Sequence, residues 1–446
     1  MNTNEFIQKP VRQLFFHYLI PAICGTMVTS IYVLADTIFI GKRLGATALA
    51  ALNISLPIYN IFFGLGLLSG VGGSVLMSIC RGKSQKEEGN TYFTTALLLN
   101  FALLLISMTV CVLFMEDIAW LLGGTEETMP YIMDYLPYII WGMGTYFFSS
   151  FLQTFIRNDG APKLAMNGVI AGGVTNIVLD YIFIYPLGME MAGAATATAT
   201  APVISMLIMS VHFIKKNNRF HITKIRLSLK RAADICFLGV SSLVLELSSG
   251  IVIIVFNFLI LKLNGNTGVA AYGILANIAL VLTSVFTGIA QGIQPIVSRH
   301  ADAKGKHVQN SIRKYALITS LLLSLVSYIT ISLFSVPIAE AFNKADDPLL
   351  TTIASGGMRI YFINLFFAGV NIIASAFLCS CDKPKLAFVI SVLRGFILII
   401  PAAWILSSLF GLTGIWLTVP VTEAIVCLFS FLFLFRGTHT QIVQST

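Results

Sequence analysis

Polar residues are sparse along this chain, and the intervals between them set its reading. Apolar residues run in blocks of roughly 20 to 30, long enough as helices to cross a hydrocarbon layer about 30 Å thick. The blocks lack the strict period-two alternation of barrel strands. Twelve can be drawn, at about 14–40, 47–79, 91–115, 131–156, 163–186, 191–214, 235–262, 269–297, 315–338, 350–379, 386–409 and 413–435. The predicted fold is an all-α polytopic membrane protein of about 12 transmembrane helices. The first apolar stretch reaches Gly41 and carries Asp36. That is too long for a signal-peptide core, so it reads as a first transmembrane helix and not as a cleaved leader.

Sliding the chain against itself by about 220 residues superposes Gly45, Ala50, Ala51, Ile54, Gly72 and Ser78 on Gly265, Ala270, Ala271, Ile274, Gly292 and Ser298. Pro162-Lys163-Leu164-Ala165 likewise meets Pro384-Lys385-Leu386-Ala387, and Gly193 meets Gly414. Two copies of an even number of crossings share one orientation, so their symmetry axis stands along the membrane normal, with a central cleft between pseudo-symmetric six-helix lobes. The most polar interior segment, from Lys215 to Arg231, divides the blocks six and six. The expected organisation is an N-terminal lobe (1–214), a basic cytoplasmic linker (215–234) and a C-terminal lobe (235–446).

Composition sharpens this picture. The chain is 57% hydrophobic and only 11% charged, with a mean hydropathy of +0.86, which excludes a water-soluble domain. The net charge of +8 raises the question of nucleic acid, but the placement of the 28 Lys and Arg answers it differently. With the N-terminus inside, 22 fall in cytoplasmic segments, 4 in outer loops and 2 inside the membrane. This is the positive-inside signature of a bacterial-type inner membrane protein with both termini cytoplasmic. Outer loops carry acids such as Glu116, Asp117, Glu126, Glu127, Glu190, Glu340, Asp346 and Asp347. The basic linker also suits anionic lipid heads, as a surface anchor or a regulatory site. The seven cysteines are scattered, and Cys379 and Cys381, the close pair, lack His or Cys companions, so they read as reduced packing residues. No phosphate-binding loop, metal-ligand set or nucleophile with its base occurs, so neither an enzyme nor an ATP-driven pump is expected, and no cofactor.

Charges inside hydrocarbon cost roughly 2.5 kcal/mol or more, so each needs a partner or a water-filled cavity. The embedded set is Asp36, Asp180, Glu246, Glu423, Arg359 and Arg394, with Asp134 near a helix end. Asp36 and Asp180 fall at similar depth in the outer leaflet, Asn176 is one turn from Asp180 on the same face, and Thr196 and Thr198 enter from the next helix. Carboxylate, amide and hydroxyl oxygens suit Na⁺ or a shared proton. The competing reading makes Asp36 interfacial, near Lys42 and Arg43, and Asp180 a structural partner. Glu246, near the midplane of helix 7, suggests a proton carrier or a site for a cationic substrate; Glu423 shares its depth, with a buried pair to Arg359 or Arg394 as the alternative. Pro21 removes a backbone hydrogen bond where Gly25 already loosens helix 1, making that helix a candidate moving part. The glycines of helix 2 permit close helix approach.

These residues resemble the multidrug and toxic compound extrusion (MATE) family over nearly the whole chain. The likeness rests on Pro21 followed by Asp36-Thr37-Ile38-Phe39-Ile40-Gly41, on Leu44-Gly45 with Ala50-Ala51, on Arg157-Asn158-Asp159-Gly160-Ala161-Pro162-Lys163 and on the duplication. It implies two lobes opening alternately to each side and antiport of small amphipathic, often cationic, drug-like compounds against H⁺ or Na⁺. The family's DinF-like branch implies a cation site, possible for Na⁺, at Asp36, Asn176, Asp180 and Thr198, coupled to bending near Pro21. The helix 7 glutamate of its NorM-like branch is matched by Glu246, but that branch's helix 10 aspartate is not, since helix 10 here offers Arg359, Asn364 and Asn371. The expected partners are substrate and membrane lipid, and the expected state is a monomer. The alternatives are a lipid-linked glycan flippase, against which twelve helices and an acidic N-lobe argue, and a non-transporting scaffold or receptor. A major-facilitator transporter is disfavoured because Arg81-Gly82-Lys83-Ser84-Gln85-Lys86 stands where its loop signature belongs.

Overall fold

The computed structural model describes residues 10–224, 228–300, 305–342 and 348–436, and among them there are helices and no strands. The N-terminal half holds α1 (Val11–Leu44), α2 (Ala46–Gly82), α3 (Lys86–Leu113), α4 (Met129–Asn158), α5 (Pro162–Ile184) and α6 (Glu190–Ile214). A short helix, Met115–Leu121, interrupts the connection from α3 to α4. The C-terminal half holds α7 (Leu229–Gly265), α8 (Thr267–Arg299), α9 (Lys306–Phe342), α10 (Pro348–Ser380), α11 (384–410) and α12 (412–436). Ten stretches are long and apolar enough to cross a membrane, the last being α11 and α12 together. The remaining helix, α4, carries Asp134, Gln153, Arg157 and Asn158; Arg157 and Asn158 are buried, Gln153 is partly buried, and Asp134 is exposed near the helix start.

The breaks between helices report the duplication. Gly45 ends α1 at φ +85 and Gly265 ends α7 at φ +61, a backbone region open to glycine at no steric cost, and the two are partners in the repeat. Gly160 at φ +99 likewise meets Asp382 at φ +59. Within each half, α2 and α10 are mostly enclosed. By contrast α3 and α9 turn Phe101, Leu105 and Ile106, and Leu321, Leu322 and Leu325, outward. Large exposed apolar side chains on long helices are the surface lipid requires, since hydrocarbon imposes no penalty on them.

The two six-helix lobes meet along α1 against α8 and α2 against α7, a crossed pair related by the repeat. Here backbone touches backbone. A Cβ on Gly72 would overlap the Ile235 carbonyl, and one on Gly239 the Leu68 carbonyl; Gly288 sits against Ile23 and Gly292 against Leu19. All lie toward the end at which α1 begins, which carries most of the Lys and Arg and is called here the basic end. Arg157 of α4 donates to Gln291 of α8 at 2.7 Å, and Arg231 of α7 pairs with Glu88 of α3 at 3.0 Å, so polar contacts also close this end. Ser30 Oγ donates to the Leu280 carbonyl at 3.4 Å near mid-height.

The described part of the basic linker is docked on the N-terminal lobe. Phe220 is buried with its ring 4.5 Å from that of Phe93, the Thr223 amide donates to Thr94 Oγ1 at 3.0 Å, and the Arg219 amide donates to Asp159 Oδ2 at 2.9 Å. α7 begins at Leu229, six residues inside the segment expected to be linker, because Ser228 caps it by accepting from the Arg231 amide at 3.4 Å. Residues 1–9, 225–227, 301–304, 343–347 and 437–446 lie outside the described residues, and with them Arg226, Asp346, Asp347 and both chain ends.

Candidate functional site

Three helices of the N-terminal lobe approach closely because small residues line their contacts. Gly173 of α5 lies against Val28 and Tyr32 of α1, and Gly172 against Ala201 and Ser205 of α6. That packing brings Asp36 of α1, Asn176 and Asp180 of α5, and Thr198 of α6 into one buried cluster. Asn176 Nδ2 donates to Thr198 Oγ1 at 3.3 Å. Asp36 lies near Asp180, and Tyr135 of α4 lies near both.

The hydrogen-bond accounting of this cluster is incomplete in one direction only. Asp36 Oδ1, Asn176 Oδ1 and both Asp180 carboxylate oxygens are buried without a protein donor. Buried polar atoms are otherwise overwhelmingly paired, and an unpaired carboxylate in a low-dielectric interior is among the costliest groups a fold can contain. All the unmatched atoms are acceptors, so the site takes a donor or a positive charge: ordered water, a proton or a hard cation. An oxygen-only set of two carboxylates, an amide and a hydroxyl fits either cation. The described residues contain no His, Cys, Asp or Glu cluster of the kind that holds a transition metal.

Other expected residues are placed differently. Thr196, grouped with the cluster by depth alone, bonds its own helix through the Ala192 carbonyl at 2.7 Å; two residues from Thr198, it points to another side of α6. Asp134 accepts the Ala192 amide at 3.0 Å, compensating the start of α6. Glu423 accepts Arg394 Nη2 at 2.6 Å and Asn371 Nδ2 at 2.6 Å, and Asn371 Oδ1 in turn accepts Ser430 Oγ at 2.7 Å. Glu423 is thus a hydrogen-bonded ion pair with Arg394, and Arg359 turns instead to Ser335 at 3.2 Å. Arg394 sits in a π-helical turn, Leu393–Ile397.

Glu246 lies on the lobe seam, its Cβ close to Gly64 of α2 and its charge felt by Tyr59. Tyr59 hydroxyl is 3.3 Å from that of Tyr32, its ring is edge-on to Tyr146 at 5.1 Å, and Tyr32 in turn senses Asp36. A tyrosine wall therefore runs from the buried cluster to Glu246. The sequence reading did not single out these tyrosines, because a Tyr in an apolar run reads as packing; the available signal was Tyr32, one helical turn before Asp36. It quoted Asp159 only within a loop motif. In the fold the wholly buried Asp159 carboxylate pairs with Arg81 and, at 2.9 Å, with His212. Pro21 is buried in α1, which stays helical from Val11 to Leu44, and Gly25 faces open space.

The sequence profile of the MatE family matches residues 21–182 and 242–405, one copy in each half. The multidrug export protein MepA of Staphylococcus saprophyticus is 25% identical over 434 residues, covering 96% of this chain and 95% of that protein. Among solved structures, a multidrug resistance MATE family transporter in its outward-facing conformation superposes with a TM-score of 0.90 at 22% identity, over 97% of both chains. A MATE structure in a bent conformation gives 0.89 at 21% identity over 100% of both.

Proposed function

The chain belongs to the MatE family, and on that premise we propose that it is a secondary active multidrug efflux transporter, exchanging small amphipathic or cationic organic compounds for H⁺ or Na⁺ by alternating access. The observation that carries the reading is the set of four buried, donor-less oxygens on Asp36, Asn176 and Asp180. If a proton or Na⁺ fills this set of acceptors, its occupancy follows the cation gradient. Each elementary charge moving inward gains about 2.3 kcal/mol per 100 mV of membrane potential, enough for coupling without ATP.

The positive-inside distribution supports a bacterial-type cytoplasmic membrane with both termini inside, which makes the tightly packed basic end the cytoplasmic one and the conformation one closed to the cytoplasm. The N-terminal lobe, residues 1–214, is then joined by the basic segment 215–228 to a C-terminal lobe that starts with α7 at Leu229, the whole working as a monomer. Glu246, with Tyr59 near it and Tyr32 and Tyr146 next to Tyr59, suits a cationic aromatic guest: the carboxylate supplies charge and the ring faces supply cation–π attraction of about 0.5–2 kcal/mol. Binding of the coupling cation at Asp36 and Asp180 from the outside releases the guest and permits the lobes to reverse.

The test is efflux of a fluorescent cationic dye from proteoliposomes under an imposed proton or sodium gradient. Asp36→Asn and Asp180→Asn each abolish gradient-driven efflux while inserting normally, and the gradient that drives the wild type names the ion. Efflux retained in both variants removes the mechanism. A wild type that moves no dye under either gradient but scrambles a lipid-linked glycan is the flippase outcome.

A further inference from the structure

α1 changes partner along its length. Its first half leans on the other lobe, Leu19 against Gly292 and Ile23 against Gly288, while its second half packs on α5, where Val28 and Tyr32 meet Gly173. The two helices therefore part at the basic end, and between them lies a crevice of about 960 Å³ at whose edge the apolar Phe16 and Ile20 are exposed. Its mouth carries Arg12, in the second position of α1, and Lys163, in the second position of α5. Phe16, Ile20, Pro21 and Met166 make its walls.

We propose that this crevice binds one anionic glycerophospholipid from the leaflet at the basic end, its phosphate held between Arg12 and Lys163 and its upper acyl chain lying along Phe16, Ile20, Pro21 and Met166. The polarity of the crevice matches that occupant in order as well as in kind. From Arg12 to Pro21 is nine residues of helix, about 13 Å at 1.5 Å per residue, so cations sit at headgroup level and the apolar wall continues into hydrocarbon. Both cations stand in the first turn of a helix, and the positive ends of the two helix dipoles add to their attraction for phosphate. A cationic drug is repelled by the same mouth, and a free anion leaves the apolar wall facing water. The lipid occupies the wedge that opens when α1 leans on the opposite lobe, and it contacts α1 at Pro21, where the helix lacks an amide. The occupied crevice thus favours the arrangement with the basic end closed. This assignment does not rest on the coupling reading: it needs only the fold and a membrane around it.

A tryptophan reporter at Met166 (Met166→Trp), or at Ile20 (Ile20→Trp) on the facing wall if the first disturbs insertion, is reconstituted in phosphatidylcholine nanodiscs doped with brominated lipid. Quenching beyond the unmodified protein's own tryptophans is the readout. Brominated phosphatidylglycerol is expected to quench the reporter at least about threefold more effectively than the same fraction of brominated phosphatidylcholine, in line with roughly 1 kcal/mol per basic group near a membrane surface. The preference disappears when Arg12→Gln and Lys163→Gln are added. Equal quenching by the two lipids, a preference that survives neutralisation, or its abolition by excess inorganic phosphate would each overturn the assignment.

Discussion

Two buried aspartates in the same lobe show how differently one side chain can be used. Asp159 is saturated by Arg81, His212 and the Arg219 amide, whereas Asp180, equally enclosed, has no donor on either oxygen. Removing one member of a buried ionic cluster strands the others, so Asp159→Asn is expected to lower stability by about 3–5 kcal/mol, seen as a fall in the melting temperature of the detergent-solubilised protein. Asp180→Asn should act in the opposite sense, raising the melting temperature while abolishing transport, because it deletes an uncompensated acceptor that only function retains. If both substitutions shift the melting temperature alike, the contrast between the two sites is wrong. The buried grouping of Asp36, Asn176 and Asp180 was legible in the sequence because α-helical periodicity places Asn176 one turn from Asp180, and because charge is scarce in hydrocarbon. Thr196 was misgrouped since depth carries no azimuth, and Tyr135 passed unnoticed since a tyrosine's role depends on partners from other helices.

Among the elements, the C-terminal lobe answers the N-terminal cluster with a closed network. The π-helical turn of α11 presents Arg394 to Glu423 of α12, and Asn371 of α10 completes the carboxylate. Glu423→Gln alone leaves a guanidinium at 2.6 Å from a neutral amide and should cost about 3 kcal/mol. Adding Arg394→Met to it recovers most of that loss, a coupling measurable by a double-mutant cycle on thermal unfolding; additive losses would show that the pair is not a unit. Hydropathy made twelve helices and their six-plus-six grouping readable, and the repeated glycines located two of the breaks. It could not show that α1 is shared between lobes or that Arg394 pairs with Glu423 in preference to Arg359, since partner choice is settled by crossing geometry. The start of α7 was also hidden, because a helix extended by a Ser cap into charged residues reads as loop.

Over the whole molecule, closure of the basic end depends on helices that meet backbone to backbone. Gly239→Val places a branched side chain where the Leu68 carbonyl lies, so the seam cannot shut. Spin labels at the exposed positions Lys83 and Lys306, one on each lobe, should report a longer mean distance in that variant than in the wild type. Dye efflux should fall with it, since a transporter barred from one of its two states cannot cycle; an unchanged distance distribution would show that the glycines are packing detail without conformational weight.

The docked linker adds a constraint of a mechanical kind. Thr223 is fastened to α3 through Thr94, and only a few residues later Arg231, in the first turn of α7, is held by Glu88 at the start of that same α3. Eight residues separate the two anchors, a reach of about 27 Å at most, which bounds how far the lobes part at this edge. A reversal is then expected to swing like a door about the α3–α7 edge, with the greater travel on the far side, where α1 crosses to α8.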